Sequence, residues 1–272
     1  MTFRALIFDS GVGGLSVAAE IRKVLPKLAM DYVADDEFRP YGNKSTAQLR
    51  ARLPGLIKTL SIMTQPDIIV IACNTASTTA LADIRRAADV PVVGVVPAIK
   101  PAALATRTGT LAVLGTPGTI AQPYVDELVS DFAGGKHVIL QGSLDLVEIA
   151  EDKLAGRGVD MARIRAELAP LFAGKNGADI DAVVLACTHF PLLADELRAA
   201  ATQTVQWIDS GEAIARRVAG ILSTLKQARA REPHPQTAFS IGPSISAKRV
   251  QAFARYGFSK AAALRRPQGS RA

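Results

Sequence analysis

Cys73 and Cys187 are the only thiols in the chain. Two cysteines so far apart make neither a disulfide framework nor a Cys-x-x-Cys redox or zinc motif. Each closes an apolar run of the same cast, Asp67-Ile-Ile-Val-Ile-Ala-Cys73 and Asp181-Ala-Val-Val-Leu-Ala-Cys187. Each is followed by polar groups, Asn74-Thr75 in one case and Thr188-His189 in the other. Taken singly, a buried thiol reads as a small hydrophobe as readily as a reagent. The duplication alters that reading, because thiols at equivalent positions of two related halves would meet a ligand from opposite sides of a shared cleft. One group can then remove a proton from a carbon while the other delivers one to the opposite face, an exchange that needs no cofactor. A free thiol is weakly ionised at neutral pH, so the base needs help from its neighbours. His189 is placed to be a cationic or proton-accepting neighbour of Cys187; a core or capping histidine is the alternative reading. Only three histidines exist, none in a metal-ligand spacing with the thiols, and no metal is expected. Asp9 precedes a glycine turn, Ser10-Gly11-Val12-Gly13-Gly14, that does not fit the dinucleotide fingerprint but can present backbone N–H groups to a small carboxylate.

Ligands of parallel α/β sheets bind beyond the carboxyl ends of the strands, and both cysteines end strand-like runs. Such runs at residues 5–8, 30–34, 68–72, 92–96, 111–114, 138–140, 182–186 and 205–208 alternate with helix-period segments at 15–25, 78–88, 124–132, 162–172 and 214–225. The alternation predicts a layered parallel α/β architecture. Ser45-Thr46-Ala47-Gln48 has the spacing of a capping box, and Pro54 is expected to bend the helix it opens or to fall in its first turns. The two cysteine segments are followed by Leu81-Ala82-Asp83-x-x-Arg86-Ala87-Ala88 and Leu193-Ala194-Asp195-x-x-Arg198-Ala199-Ala200. This repeated unit predicts two similar lobes. Residues 1–97 plus 209–272 are assigned to the first, with a basic C-terminal segment, and residues 98–208 to the second.

A chain of 272 residues with 49% hydrophobic and 21% charged residues is too long for a staple-dependent mini-fold and too apolar for wholesale disorder. No apolar run approaches the ~18 residues of a membrane span. No signal-peptide pattern opens the sequence, so a soluble, cytoplasmic protein is expected. The formal charge of +7 is unevenly spread. Residues 226–272 carry a net +9 and the remainder −2, so the excess reads as a solvated tail, with an anionic macromolecule as the lesser alternative.

Asp9-Ser10-Gly11-Val12-Gly13-Gly14-Leu15-Ser16, Pro40-Tyr41-Gly42, Ala72-Cys73-Asn74-Thr75-Ala76-Ser77 and Ala186-Cys187-Thr188-His189-Phe190-Pro191-Leu192 together resemble the signature segments of bacterial glutamate racemase, in the aspartate/glutamate racemase superfamily. The resemblance covers residues 4 to about 225. It implies two pseudo-symmetric parallel-sheet α/β lobes with the active site in the cleft between them. It also implies a two-thiol mechanism without pyridoxal phosphate, and supply of D-glutamate for peptidoglycan. By the same resemblance Cys73 acts on D-glutamate and Cys187 on L-glutamate. Asp9 assists the first thiol, and His189 and Glu148 the second. Asp9, Ser10, Pro40, Tyr41, Gly42, Asn74, Thr75, Thr116, Thr119, Thr188 and His189 would hold the substrate. The expected partner is glutamate, with a homodimer as an option. The sequence departs from the family where residues 140–148 lack the Cys-Pro that usually precedes Val-Glu, and where Glu37-Phe38-Arg39 replaces the commoner Thr-Ala-Arg. No family feature matches the basic stretch after residue 226. Two alternatives stand beside glutamate racemisation. One is a sister aspartate or hydantoin racemase; the other is a regulatory protein binding an anionic partner such as the gyrase–DNA complex.

Overall fold

In the computed structural model, which describes residues 2–230 and 234–265, the eight apolar runs become parallel strands, and two further parallel strands that the sequence reading did not single out follow in the C-terminal segment. They are β1 (Arg4–Asp9), β2 (Ala29–Ala34), β3 (Ile68–Ile71), β4 (Val92–Gly94), β5 (Thr110–Gly115), β6 (His137–Gly142), β7 (Ile180–Ala186), β8 (Gln206–Ile208), β9 (Thr237–Ile241) and β10 (Lys260–Leu264). The helices of the first hundred or so residues are α1 (Leu15–Val24), α2 (Thr46–Thr64), α3 (Asn74–Ala87) and α4 (Ile99–Ala105). Then come α5 (Pro117–Ile120), α6 (Pro123–Phe132), α7 (Asp145–Leu154), α8 (Met161–Ala173), α9 (Ala194–Ala200), α10 (Gly211–Thr224) and α11 (Ala247–Arg255).

The strands form two sheets, ordered β10-β9-β2-β1-β3-β4 and β6-β5-β7-β8. Without β10 and β9 the two orders are the same, 2-1-3-4 and 6-5-7-8, so the repeat seen around the cysteines extends to the topology. Parallel strands covered on both faces need apolar residues at every position, which explains the continuous runs. Ala5 and Ile7 of β1, with Ile68 and Val70 of β3, pack toward α1 and α10. Leu6 and Phe8, with Ile69 and Ile71, pack toward α2 and α3. In the second sheet Ala112, Leu114, Val183 and Leu185 face α7, α8 and α9, and Leu111, Val113, Val184 and Ala186 face α4 and α6.

The capping box is present: the Gln48 backbone N–H donates to Ser45 Oγ at 3.2 Å, and the Ser45 N–H donates to Gln48 Oε1 at 2.9 Å. Pro54 lies inside the continuous helix α2, past its first turns. Helix α3 begins at Asn74, four residues before the expected start. Asn, Thr and Ser are weak helix formers, so propensity masked a helix that springs directly from the strand end at Cys73.

The basic C-terminal segment is not a solvated tail. It supplies β9, which pairs with β2, then α11, then β10, which pairs with β9. Phe253 and Phe258 are fully buried, each with its ring centroid 5.6 Å from that of Tyr32. Arg229 pairs with Asp89 on the surface, and Arg249 turns inward. Arg231, Glu232, Arg266 and Arg271, part of the same basic stretch, lie outside the described residues. No described helix is long and apolar enough to cross a membrane.

Because the segment closes the first core, Phe253→Ala is expected to cost about 3–5 kcal/mol, the usual range for emptying a buried aromatic site. Urea unfolding measures it, and a loss below about 1 kcal/mol would return the segment to the status of an appendage.

Candidate active site

The carboxyl ends of both sheets meet at the site. β1 ends at Asp9, β3 leads through Ala72 to Cys73, β5 leads to Thr116, and β7 leads to Cys187. Ser10, Pro40, Tyr41, Gly42, Cys73, Asn74, Thr75, Thr116, Cys187, Thr188 and His189 line one narrow cavity, joined by Val147. Asp9 and Thr119 stand just behind it, both fully buried. A larger cavity of about 310 Å³ on another side of the cleft also reaches Asn74, Cys187 and Thr188.

The two thiols occupy different electrostatic surroundings. Cys73 caps the start of α3 and donates a long contact, 3.9 Å, to Ser10 Oγ. Burial, reinforced by the nearby Asp9 carboxylate, pushes its pKa well up, so it rests as the thiol. Cys187 Sγ lies 3.8 Å from His189 Nδ1, and His189 Nε2 lies 3.0 Å from Glu151 Oε1. Burial would lower the His189 pKa, but contacts with Cys187 and Glu151 outweigh it and raise it to about 10. Burial would likewise raise that of Glu151, yet His189, Arg249 and Arg39 hold it well below the usual carboxylate range. Both partners therefore point to an imidazolium–carboxylate pair at neutral pH.

The glycine turn does present N–H groups to carboxylates, but to the protein's own. Gly11 and Gly14 donate to Asp9 Oδ2 at 3.2 and 3.0 Å, and Val12 donates to Glu151 Oε1 at 3.1 Å across the cleft. A Cβ at Gly11 or Gly13 would run into Glu151 or His189, respectively, so the glycines permit the lobes to approach. Burial raises the Asp9 pKa, only partly offset by His189 and the turn amides. Asp9 Oδ1 and Asn74 Nδ2 are buried with no partner among the described residues. The hydroxyls of Thr75, Thr116 and Thr119 form a closed triangle with sides of 2.9–3.0 Å, joining α3 to α5. The Tyr41 hydroxyl is tied down by Asp35, which accepts from it at 2.5 Å and from Arg52 through two further bonds.

Glu148 does not belong to this constellation. Its side chain is 68% exposed and faces Arg163 at 3.7 Å. The carboxylate at His189 is Glu151, three residues later on α7, which the sequence reading missed. A signal for it was available. Val147, Ala150 and Leu154 form the buried stripe of the helix, and Glu151, four residues after Val147, falls inside that stripe. An acidic residue on an apolar helix face requires a partner.

A family model described as Asp/Glu/Hydantoin racemase matches residues 16–218. The glutamate racemase of Sphingopyxis alaskensis is 53% identical over 214 residues, 79% of this chain and 80% of its own length. That of Brucella canis is 48% identical over 218 residues, 80% of this chain and 79% of its own. Among solved structures, Escherichia coli glutamate racemase in complex with L-glutamate and the activator UDP-MurNAc-ala aligns with a TM-score of 0.91 at 40% identity, over 97% of this chain and 99% of that one. RacE1 of Bacillus anthracis, a glutamate racemase isoform, aligns at 0.77 with 26% identity, over 99% of each chain.

The His189–Glu151 pair has a consequence for stability. His189 keeps its proton up to about 10 in the folded chain against an ordinary value of 6.5. The stabilisation is complete below 6.5 and is lost as pH rises through about 10, because the folded state binds the extra proton in between. Glu151→Gln removes the carboxylate that favours the imidazolium. Its stability is expected to fall less steeply with pH over that window, measured as urea midpoints at a series of pH values; an unaltered slope would refute the pairing.

Proposed function

The chain belongs to the Asp/Glu/Hydantoin racemase family, and we propose that its reaction is the interconversion of L- and D-glutamate by proton transfer between the substrate α-carbon and two thiols. The observation that carries this reading is the convergence of Cys73 and Cys187, one from each lobe, on a single cavity. Curated relatives at about half identity over four-fifths of the chain support glutamate as the substrate. No pyridoxal phosphate takes part. Supply of D-glutamate for peptidoglycan in the cytoplasm completes the reading.

The unequal surroundings of the thiols support a starting role for each. A cationic His189 faces Cys187 as an electrostatic partner for its thiolate, which removes the α-proton of L-glutamate. Cys73, held as the thiol, delivers its own proton to the opposite face of the planar intermediate and yields D-glutamate. Cys187 is then protonated and Cys73 is the thiolate, the state that accepts D-glutamate for the reverse reaction. A zwitterion suits the buried polar atoms around the thiols. Its ammonium can donate to Asp9 Oδ1, and a carboxylate can accept from Asn74 Nδ2 and, by opening the triangle of Thr75, Thr116 and Thr119, from a hydroxyl so released. With the ammonium beside it, Asp9 opposes ionisation of Cys73 less, which lets the same thiol serve as base in the D direction. Ser10, Thr188 and the Pro40-Tyr41-Gly42 loop complete the enclosure.

Purified protein given L-glutamate alone should yield D-glutamate until the two enantiomers are equal, read by chiral chromatography. Cys73→Ala or Cys187→Ala should each lower racemisation by roughly 10²–10⁴-fold, the contribution of a positioned acid or base. A glutamate analogue with a leaving group on the β-carbon needs only α-proton removal. Cys73→Ala should therefore still eliminate from the L-form, and Cys187→Ala from the D-form. Full racemisation by both variants, or loss of elimination from both enantiomers in folded protein, would sink the two-thiol mechanism.

A further inference from the structure

Arg249 of α11 is the one described guanidinium that reaches the catalytic cluster from the C-terminal segment. Its Nη1 donates to Glu151 Oε2 at 2.8 Å and its Nη2 to Asp36 Oδ1 at 2.5 Å. The side chain is 15% exposed, and the two carboxylates it joins are on different lobes, Glu151 on α7 and Asp36 in the loop after β2. The four contacts of the Glu151 carboxylate divide cleanly. Oε1 accepts from Val12 and faces His189 Nε2, whereas Oε2 accepts from Arg249 and has Arg39 at 3.9 Å. The guanidinium thus fixes the oxygen that His189 does not use, and with it the rotation of the one that His189 does.

We propose that Arg249 is a positioning residue for the Cys187 half of the reaction: by clamping Glu151 from the first lobe, it holds His189 against the thiol that acts on L-glutamate. The proposal rests on the two-thiol reading and adds to it an asymmetry. The Cys73 side, with Asp9 and Ser10, has no hydrogen bond to Arg249. Charged and titratable groups face Glu151 from every element around it. They are Arg249 on α11, Asp36 and Arg39 after β2, Tyr32 on β2 and His189 after β7, while Cys187 and Asp9 act on His189. Of these, Arg249 and Arg39 join His189 in favouring the ionised carboxylate, and Arg249 alone of the two arginines is within hydrogen-bond distance.

The experiment uses the full chain and both enantiomers of the β-leaving-group analogue. In racemisation the two directions share one kcat/KM ratio because the equilibrium constant is unity, so elimination is needed to separate the halves. Arg249→Met should lower elimination from the L-form by roughly ten- to a hundred-fold, the range known for outer partners that orient a working histidine at metal centres. Elimination from the D-form should stay within about two-fold, since positioned groups on that side are untouched. The acid limb of the L-profile should move to higher pH, because a Glu151 deprived of Arg249 takes up its proton sooner. Arg249→Lys, which keeps the charge but not the two-armed grip, should restore part of the L-activity. Equal losses for both enantiomers would reduce Arg249 to a structural tie, and no loss for either would remove it from the reaction; both outcomes overturn the proposal. If Arg249→Met does not fold, the same comparison with Arg249→Lys decides by whether its loss is confined to the L-form. A Cys187→Ala control in the otherwise native chain tells the two readings apart: retained L-elimination there would bring down the two-thiol mechanism itself.

Discussion

The carboxylate of Glu151 sits where the two lobes touch, and its ionisation constrains most of what surrounds it. A buried charge is costly unless hydrogen bonds and opposite charges replace water. Its partners come from four places: the Val12 amide on the β1 turn, His189 after β7, Arg249 on α11 and, at longer range, Arg39 after β2. Three of these belong to elements around the first sheet, while Glu151 itself lies on a helix covering the second. The carboxylate is therefore fully satisfied only when the lobes are together. The glycines of the β1 turn follow from the same requirement, because side chains at Gly11 or Gly13 would occupy the space of Glu151 and His189.

Around this tie the scaffold is nearly symmetric and its dressing is not. Strand orders 2-1-3-4 and 6-5-7-8 place a cysteine beyond the corresponding strand of each sheet. One thiol then has a buried carboxylate, Asp9, behind it, and the other a histidine held in its charged form. In the reaction proposed above, the thiol beside Asp9 gives a proton and the thiol beside His189 takes one, so the difference in surroundings matches an exchange across two faces of a carbon.

The departure from symmetry is concentrated in the C-terminal segment. β9 and β10 extend only the first sheet, and the helix between them places Arg249 at Glu151 and Phe253 against Tyr32. Tyr32 in turn donates from its hydroxyl to the Gly11 carbonyl at 2.8 Å. A segment that completes a hydrophobic core thus also braces the turn and the carboxylate on either side of the cleft.

The amino-acid sequence by itself determined the parallel α/β layering, the duplicated strand–cysteine–helix unit and the residues that gather at the strand ends. These are legible because sheet burial imposes continuous apolar runs and because a repeat can be recognised without knowing its fold. It also marked the Ser45–Gln48 cap, a contact between residues three apart. Contacts between distant segments were another matter. Glu148 and Glu151 differ by less than one helical turn, and only the packing of α7 decided that the first faces solvent and the second His189. The +9 charge after residue 226 read as a tail because composition counts charges without their partners. The partners of Arg249, Asp36 and Glu151, are 213 and 98 residues away in sequence, and only the folded chain brings them within hydrogen-bond reach.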